Sequence, residues 1–237
     1  MPAVLPEFCG LDRLKPVRVY RRSLPHWRQD GATYFVTFRL VDSIPPGKVR
    51  EWQYQRECWY AAHGLSRDLL PDEWQTRYQA VSVAERDEFE RRAARQLFVE
   101  LDRCHGACIL RHEPAIGIVR EALHFSDGLR YRCGDAVVMP NHVHWLLLPL
   151  PGHELEDILG VIKGYTAREI NKHFGNSGSV WQHESYDRLV RDSAELARTR
   201  TYIARNPALA RLPPRDRAWQ AEWLAQVQVS RLDGWPS

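Results

Sequence analysis

An α+β fold, in which an antiparallel sheet carries helices, is predicted by three observations. Short segments with strand-like patterning lie at residues 32–40, 131–139, 142–149 and 186–191. Between and after them, apolar residues recur at helical spacing over 113–127, 154–174 and 193–205. The connections are short and polar, except for one long stretch between the first strand and the first of these helices.

Residues 1–20 are punctuated by prolines and are expected to be loosely ordered, the start of a basic arm over 1–30. Its "RRSLPHWRQD" interleaves Arg21, Arg22 and Arg28 with His26 and Trp27, cations and stackable rings that suit single-stranded nucleic acid. A solvated arm leading into a strand fits the same residues. In "ATYFVTFRL", Tyr34, Val36, Phe38 and Leu40 share one face, and Phe35, Thr37 and Arg39 the other.

Pro45-Pro46 closes that strand, and the segment from about 45 to 112 reads as a polar helical insertion. Within it Ser82 and Glu85 form a capping box ahead of Phe89, Ala93, Leu97 and Leu101. Pro114 suits a helix start, Ile116, Val119, Ala122 and Leu123 give that helix an apolar face, and Gly128 ends it. The next two strands form a hairpin across Met139-Pro140-Asn141. The helix from Glu154 to about Phe174 turns Leu155, Ile158, Leu159, Ile162, Tyr165 and Ile170 inward. Asp192 and Glu195 resemble a second capping box, opening a helix that Asn206-Pro207 stops. The first six elements match the split βαβ, ferredoxin-like or RRM-like plan. Three regions follow: the arm 1–30, a domain over 31–212 and a tail over 213–237.

The 237 residues suffice for one large domain or one domain with an insertion. No segment approaches the roughly 18 apolar residues of a membrane span, and the start lacks a basic region followed by an apolar one, so a cytoplasmic, nucleoid-associated protein is expected. Five cysteines at irregular spacing argue for reduced thiols. The net charge of +3 is too small by itself to imply a nucleic-acid partner; arginines nevertheless concentrate over 18–28 and 188–217.

The chemistry concentrates in "VVMPNHVHWLLLP", residues 137–149. His142 and His144 point to the same side of a strand, where two imidazoles can chelate one ion. Paired strand histidines are often merely hydrogen-bonded. Here they open a strand whose apolar run is expected to be buried on both faces, where bare nitrogens would cost several kcal/mol unless a metal or a phosphate satisfied them. Tyr202 and Asn206, four residues apart on the last helix, share a face and could offer a phenol and an amide oxygen to that metal. Tyr165 with Glu169 has the same spacing and stands as an alternative nucleophile.

Five segments carry a family resemblance: "TYFVTFRL", "VVMPNHVHWLLLP", "IKGYTAREIN", "VWQHESYDRLVRD" and "YIARNP". In this order they resemble the REP-associated tyrosine transposases, within the single-tyrosine HUH transposases of the IS200-like type. The insertion and the tail after Leu212 are poorly matched, and Arg211 stands near a position where the family usually has a small residue, often Gly. The resemblance implies that His142, His144 and Asn206 hold Mg²⁺ or Mn²⁺. It further implies that Tyr202 attacks single-stranded DNA beside a palindromic hairpin, leaving a 5′-phosphotyrosine and a free 3′-hydroxyl, and that the protein acts as a monomer, although related transposases are dimers. Tyr202 is preferred to Tyr165 because the family's Asn-Pro follows it.

Arg21, Arg22, Lys163, Arg168, Arg188 and Arg191 are candidate phosphate contacts. The histidine-triad hydrolases also use alternating histidines, but position 146 is Leu where a third would stand. A non-catalytic DNA-hairpin binder of the same fold is the competing reading.

Overall fold

The computed structural model of the chain describes residues 7–21, 25–212, 217–225 and 227. The first regular elements among the described residues form a hairpin, β1 (Arg18–Arg21) against β2 (Pro25–Arg28), inside the stretch expected to be a basic arm. A polar network anchors it: His26 and Arg28 both contact Asp187, Arg28 also binds Glu156, and the Tyr20 hydroxyl donates to Glu156. Those carboxylates lie far along the sequence, so local propensity gave no sign of them.

The sheet follows. Its strands are β3 (Tyr34–Arg39), β4 (Tyr131–Val138), β5 (His142–Pro149), β6 (Tyr186–Leu189) and β7 (Ala218–Trp219), ordered β6-β3-β5-β4-β7 with every neighbouring pair antiparallel. The first four make the ferredoxin-like arrangement that the element order predicts. β7, from the C-terminal segment, extends the edge beside β4. A bulge interrupts β4 between Cys133 and Ala136. It brings Gly134 so close to β5 that a Cβ would lie 2.5 Å from the Leu146 carbonyl oxygen, so this position admits no side chain.

Each face of the sheet has its own core. Tyr34, Val36, Phe38, Trp145 and Leu147 pack against α4 (Glu113–Phe125) and α5 (Leu155–Phe174). On the other face Phe35, Val137 and Leu146 meet Leu196 and Ile203 of the final long helix, Ser193–Leu209. β5, sandwiched between the layers, is buried at all eight positions. Each large side chain so buried contributes roughly 1.5–3 kcal/mol.

The insertion folds as α1 (Pro46–Ala62), α2 (Pro71–Ala80) and α3 (Val83–Leu101), with a 3₁₀ turn at Ile109–Arg111. Its capping box forms as expected: the Glu85 amide donates to Ser82 Oγ at 3.2 Å. Tyr60, Leu65, Trp74 and Tyr78 pack with Val19 of β1 into a third small core.

Two expectations need correction. Tyr165 does not face inward: it is 43% exposed, one residue (about 100° around the helix) off the buried line Ile162, Thr166, Ile170. Nor does Asn206-Pro207 stop the last helix, here α6, which runs to Leu209 with Pro207 inside it. A proline so near the end forfeits a single amide, and the turn closes around it. The Arg211 amide donates to the Ala208 carbonyl and the Leu212 amide to that of Pro207, a Schellman cap. The cap places Arg211 at φ +54°, in the left-handed region that favours glycine.

Candidate active site

β5 presents His142 and His144 on the face that carries α6 and α3. Opposite them on β3 stand Arg39 and Thr37, in register with His142 and His144 respectively. The two Nε2 atoms converge to 3.0 Å. Each ring is also held from its other side. His142 Nδ1 lies 2.7 Å from Asn141 Oδ1, which can only accept, so the ring carries its proton on Nδ1 and its lone pair on Nε2. His144 Nδ1 lies 2.7 Å from Thr37 Oγ1. Both imidazoles are fully buried, and that burial pushes the His142 pKa down to about 3 and that of His144 well below its usual value. Both are therefore neutral at physiological pH.

α6 supplies the other half. Its N-terminus is fixed by Asp192, whose carboxylate accepts from the Glu195 amide at 2.7 Å. Nearly three turns further on, Tyr202 places its hydroxyl 3.2 Å from His144 Nε2. Asn206, buried one turn later, donates from Nδ2 to the Tyr202 carbonyl at 2.9 Å, and its amide also lies against the phenol. Burial first, and the Asp102 carboxylate second, push the phenol pKa well above the ordinary value near 10.

The donor set suits a divalent cation. Two neutral imidazole nitrogens face each other at a separation one ion can span, their far nitrogens fixed as metal-bound histidines require. An amide stands on the adjoining helix. Among the described residues no cluster of three or more His, Cys, Asp or Glu side chains forms such a site.

Of the predicted residues, His142, His144, Tyr202 and Asn206 thus come to one face of the sheet. Tyr165 does not join them, because α5 packs on the opposite face. The candidate phosphate contacts scatter. Arg21 pairs with Glu57, Arg188 with Glu195 and Arg191 with Asp87, while Lys163 donates to the His183 carbonyl. Arg168 is exposed on α5. Arg22 lies outside the described residues.

Sequence reasoning missed three participants. Thr37 orients His144; its alternation with Phe35 and Arg39 put it on the right face, but nothing told which face held the histidines. Asn141 bridges His142 and the Leu101 carbonyl, to which its Nδ2 donates at 3.1 Å. Phe98, near the end of α3, lies edge-on to the His144 ring at 5.4 Å and beside Tyr202 at 5.8 Å. The helical insertion therefore roofs the site.

Comparison with known proteins gives a family match over part of the chain. Residues 126–206 match the model of a family described as Transposase IS200 like, and this span includes both histidines, Tyr202 and Asn206. A solved structure of a REP-associated tyrosine transposase bound to a REP hairpin is similar at 18% identity and a TM-score of 0.37, covering 80% of this chain and 72% of that one. No curated protein matches.

Proposed function

We propose that this chain, whose residues 126–206 match the IS200-like transposase family, is a metal-dependent single-strand DNA endonuclease and strand transferase acting beside palindromic hairpins. One observation carries this reading: the Tyr202 hydroxyl stands at 3.2 Å from one of two converging, neutral histidine nitrogens. A phenol in that position has a nucleophilic oxygen, and attack on a phosphodiester forms a bond from phosphorus to the tyrosine oxygen and breaks the bond to the 3′ oxygen, which leaves as a hydroxyl. Because an ester replaces an ester, rejoining needs no ATP. His142, His144 and Asn206 would hold Mg²⁺ or Mn²⁺. Such an ion supplies positive charge against the phosphate oxygens and lowers the phenol's affinity for its proton. The chain's own part is to orient: Thr37 and Asn141 fix the two imidazoles, and the cap at Asp192 fixes the start of the tyrosine helix.

The test is incubation with Mn²⁺ and labelled single-stranded palindromes from the source genome, followed by denaturing electrophoresis and peptide mass spectrometry. A DNA adduct on the Tyr202 peptide is expected, absent in Tyr202→Phe and in the double variant His142→Ala, His144→Ala. Tight hairpin binding with neither adduct nor cleavage would instead make the chain a hairpin-binding module.

A further inference from the structure

The insertion does more than roof the site. Between α1, α3 and the sheet edge lies a cleft of about 560 Å³, within the range of roughly 300–1,000 Å³ for ligand sites. Two helix faces build its walls. Along α1, Val49, Trp52, Arg56 and Trp59 recur at three- and four-residue steps; along α3, Glu85, Phe89, Arg92 and Gln96 do the same. A Gln96 to Gln55 amide hydrogen bond of 2.9 Å joins the two helices.

The lining combines cations, a free ring and amides. Trp59 is stacked on Phe89 at 4.1 Å. Trp52 is half-buried, and its ring contacts no other ring among the described residues. The Arg56 and Arg92 guanidiniums make no hydrogen bond or ion pair among the described residues. Arg39 donates to the Leu40 carbonyl and the Ser43 hydroxyl, both neutral. Of the wall's carboxylates, Glu85 accepts from the Ser82 hydroxyl and Glu88 pairs with Arg91, while Glu184 meets His26 and also acts electrostatically on Arg39 and Arg56, offsetting part of their charge.

The cleft adjoins the site. Arg39 is the cross-strand neighbour of His142, on the same face of the sheet. Tyr186, in the opposite wall, packs edge-on to Phe98 at 5.3 Å, and Phe98 covers His144 and Tyr202.

We infer that this cleft binds the unpaired DNA strand that leads from the hairpin to the Tyr202 site, with a base stacked on Trp52 and phosphates on Arg56, Arg92 and Arg39. The inference rests on the proposed function and adds a strand-binding subsite built by the insertion. Stacking on one ring tolerates any base, so the subsite grips the strand without reading its sequence.

The test compares a blunt DNA hairpin with the same hairpin carrying an unpaired oligothymidine flank, both labelled, binding to the full chain by fluorescence anisotropy. In wild type the flank should tighten binding. Trp52→Ala and, separately, the surface change Arg92→Gln should each weaken binding of the flanked hairpin about tenfold and five-fold respectively, leave the blunt hairpin unchanged, and Trp52→Phe should restore most of the loss. Photocrosslinking of a 5-iodouracil flank should label the peptide containing Trp52. Unchanged affinity in both variants with no crosslink there, in a wild type that binds and cuts flanked hairpins, would overturn the subsite alone. An equal loss on blunt and flanked DNA would overturn it too. A wild type that binds neither DNA would overturn the proposed function and the subsite with it.

Discussion

The Asp135 carboxylate and the Arg200 guanidinium, 2.8 Å apart, tie the bulged part of β4 to the helix that carries Tyr202. Asp135 is fully buried and its second oxygen accepts the Ala221 amide, also at 2.8 Å. Removing Arg200 would leave a buried carboxylate with one partner fewer. Arg200→Met should therefore cost about 3 kcal/mol of stability, read as a lower urea midpoint at unchanged slope. A stability loss of less than about 1 kcal/mol would mean that water replaces the guanidinium.

Thr37 orients one imidazole through its hydroxyl. Thr37→Val preserves the shape of the side chain and removes the bond to His144 Nδ1. Losing such an outer partner typically lowers metal affinity 10- to 100-fold. Calorimetric titration with Mn²⁺ should show a loss in that range, and an unchanged affinity would remove Thr37 from the site's architecture.

Arg211 occupies a backbone conformation suited to glycine, at φ +54°. Arg211→Gly should stabilise the chain by about 0.5–1 kcal/mol, less than the left-handed penalty alone because glycine also frees the unfolded chain. For a domain of this size that is a rise of roughly 1–4 °C in Tm. A fall in Tm would show that the arginine side chain makes a compensating contact.

His26 gives the fold a pH dependence at the alkaline end. Burial alone would lower its pKa, but the carboxylates of Asp187 and Glu184 outweigh it and hold the pKa up to about 9, against 6.5 unfolded. A raised pKa stabilises the folded state fully below the unfolded value and progressively less as pH climbs through 9. His26→Gln should therefore lose a few kcal/mol at most at pH 6 and much less at pH 10. A deficit that stays constant between those two pH values, in urea titrations, would assign the loss to packing rather than to charge.

The parts of the site that follow from side-chain period were legible in the sequence. Alternation put His142 and His144 on one face, and a four-residue step put Tyr202 and Asn206 on another. The ferredoxin-like sheet followed from element order. Periodicity cannot separate the edge of a helix stripe from its centre, and Tyr165 sits at that edge. Charge alone did not reveal that Arg188 and Arg191 meet Glu195 and Asp87, since the first partner is brought back by the start of α6 and the second by the docked insertion. The roof over His144 was invisible for the same reason: Phe98 looked like one more apolar residue in a helix of the insertion.

β3 lies inside the sheet between strands that arrive more than a hundred residues later, with 107 positions separating Thr37 from its partner His144. The core cannot close until those distant segments meet, which places the chain among slow folders whose rate is set by non-local pairing. Excising residues 45–112 would shorten that loop by somewhat more than half. Because closure entropy grows only with the logarithm of length, the saving is about 1 kcal/mol. So small an entropic burden lets a three-helix segment occupy the longest connection of the domain with little penalty to folding.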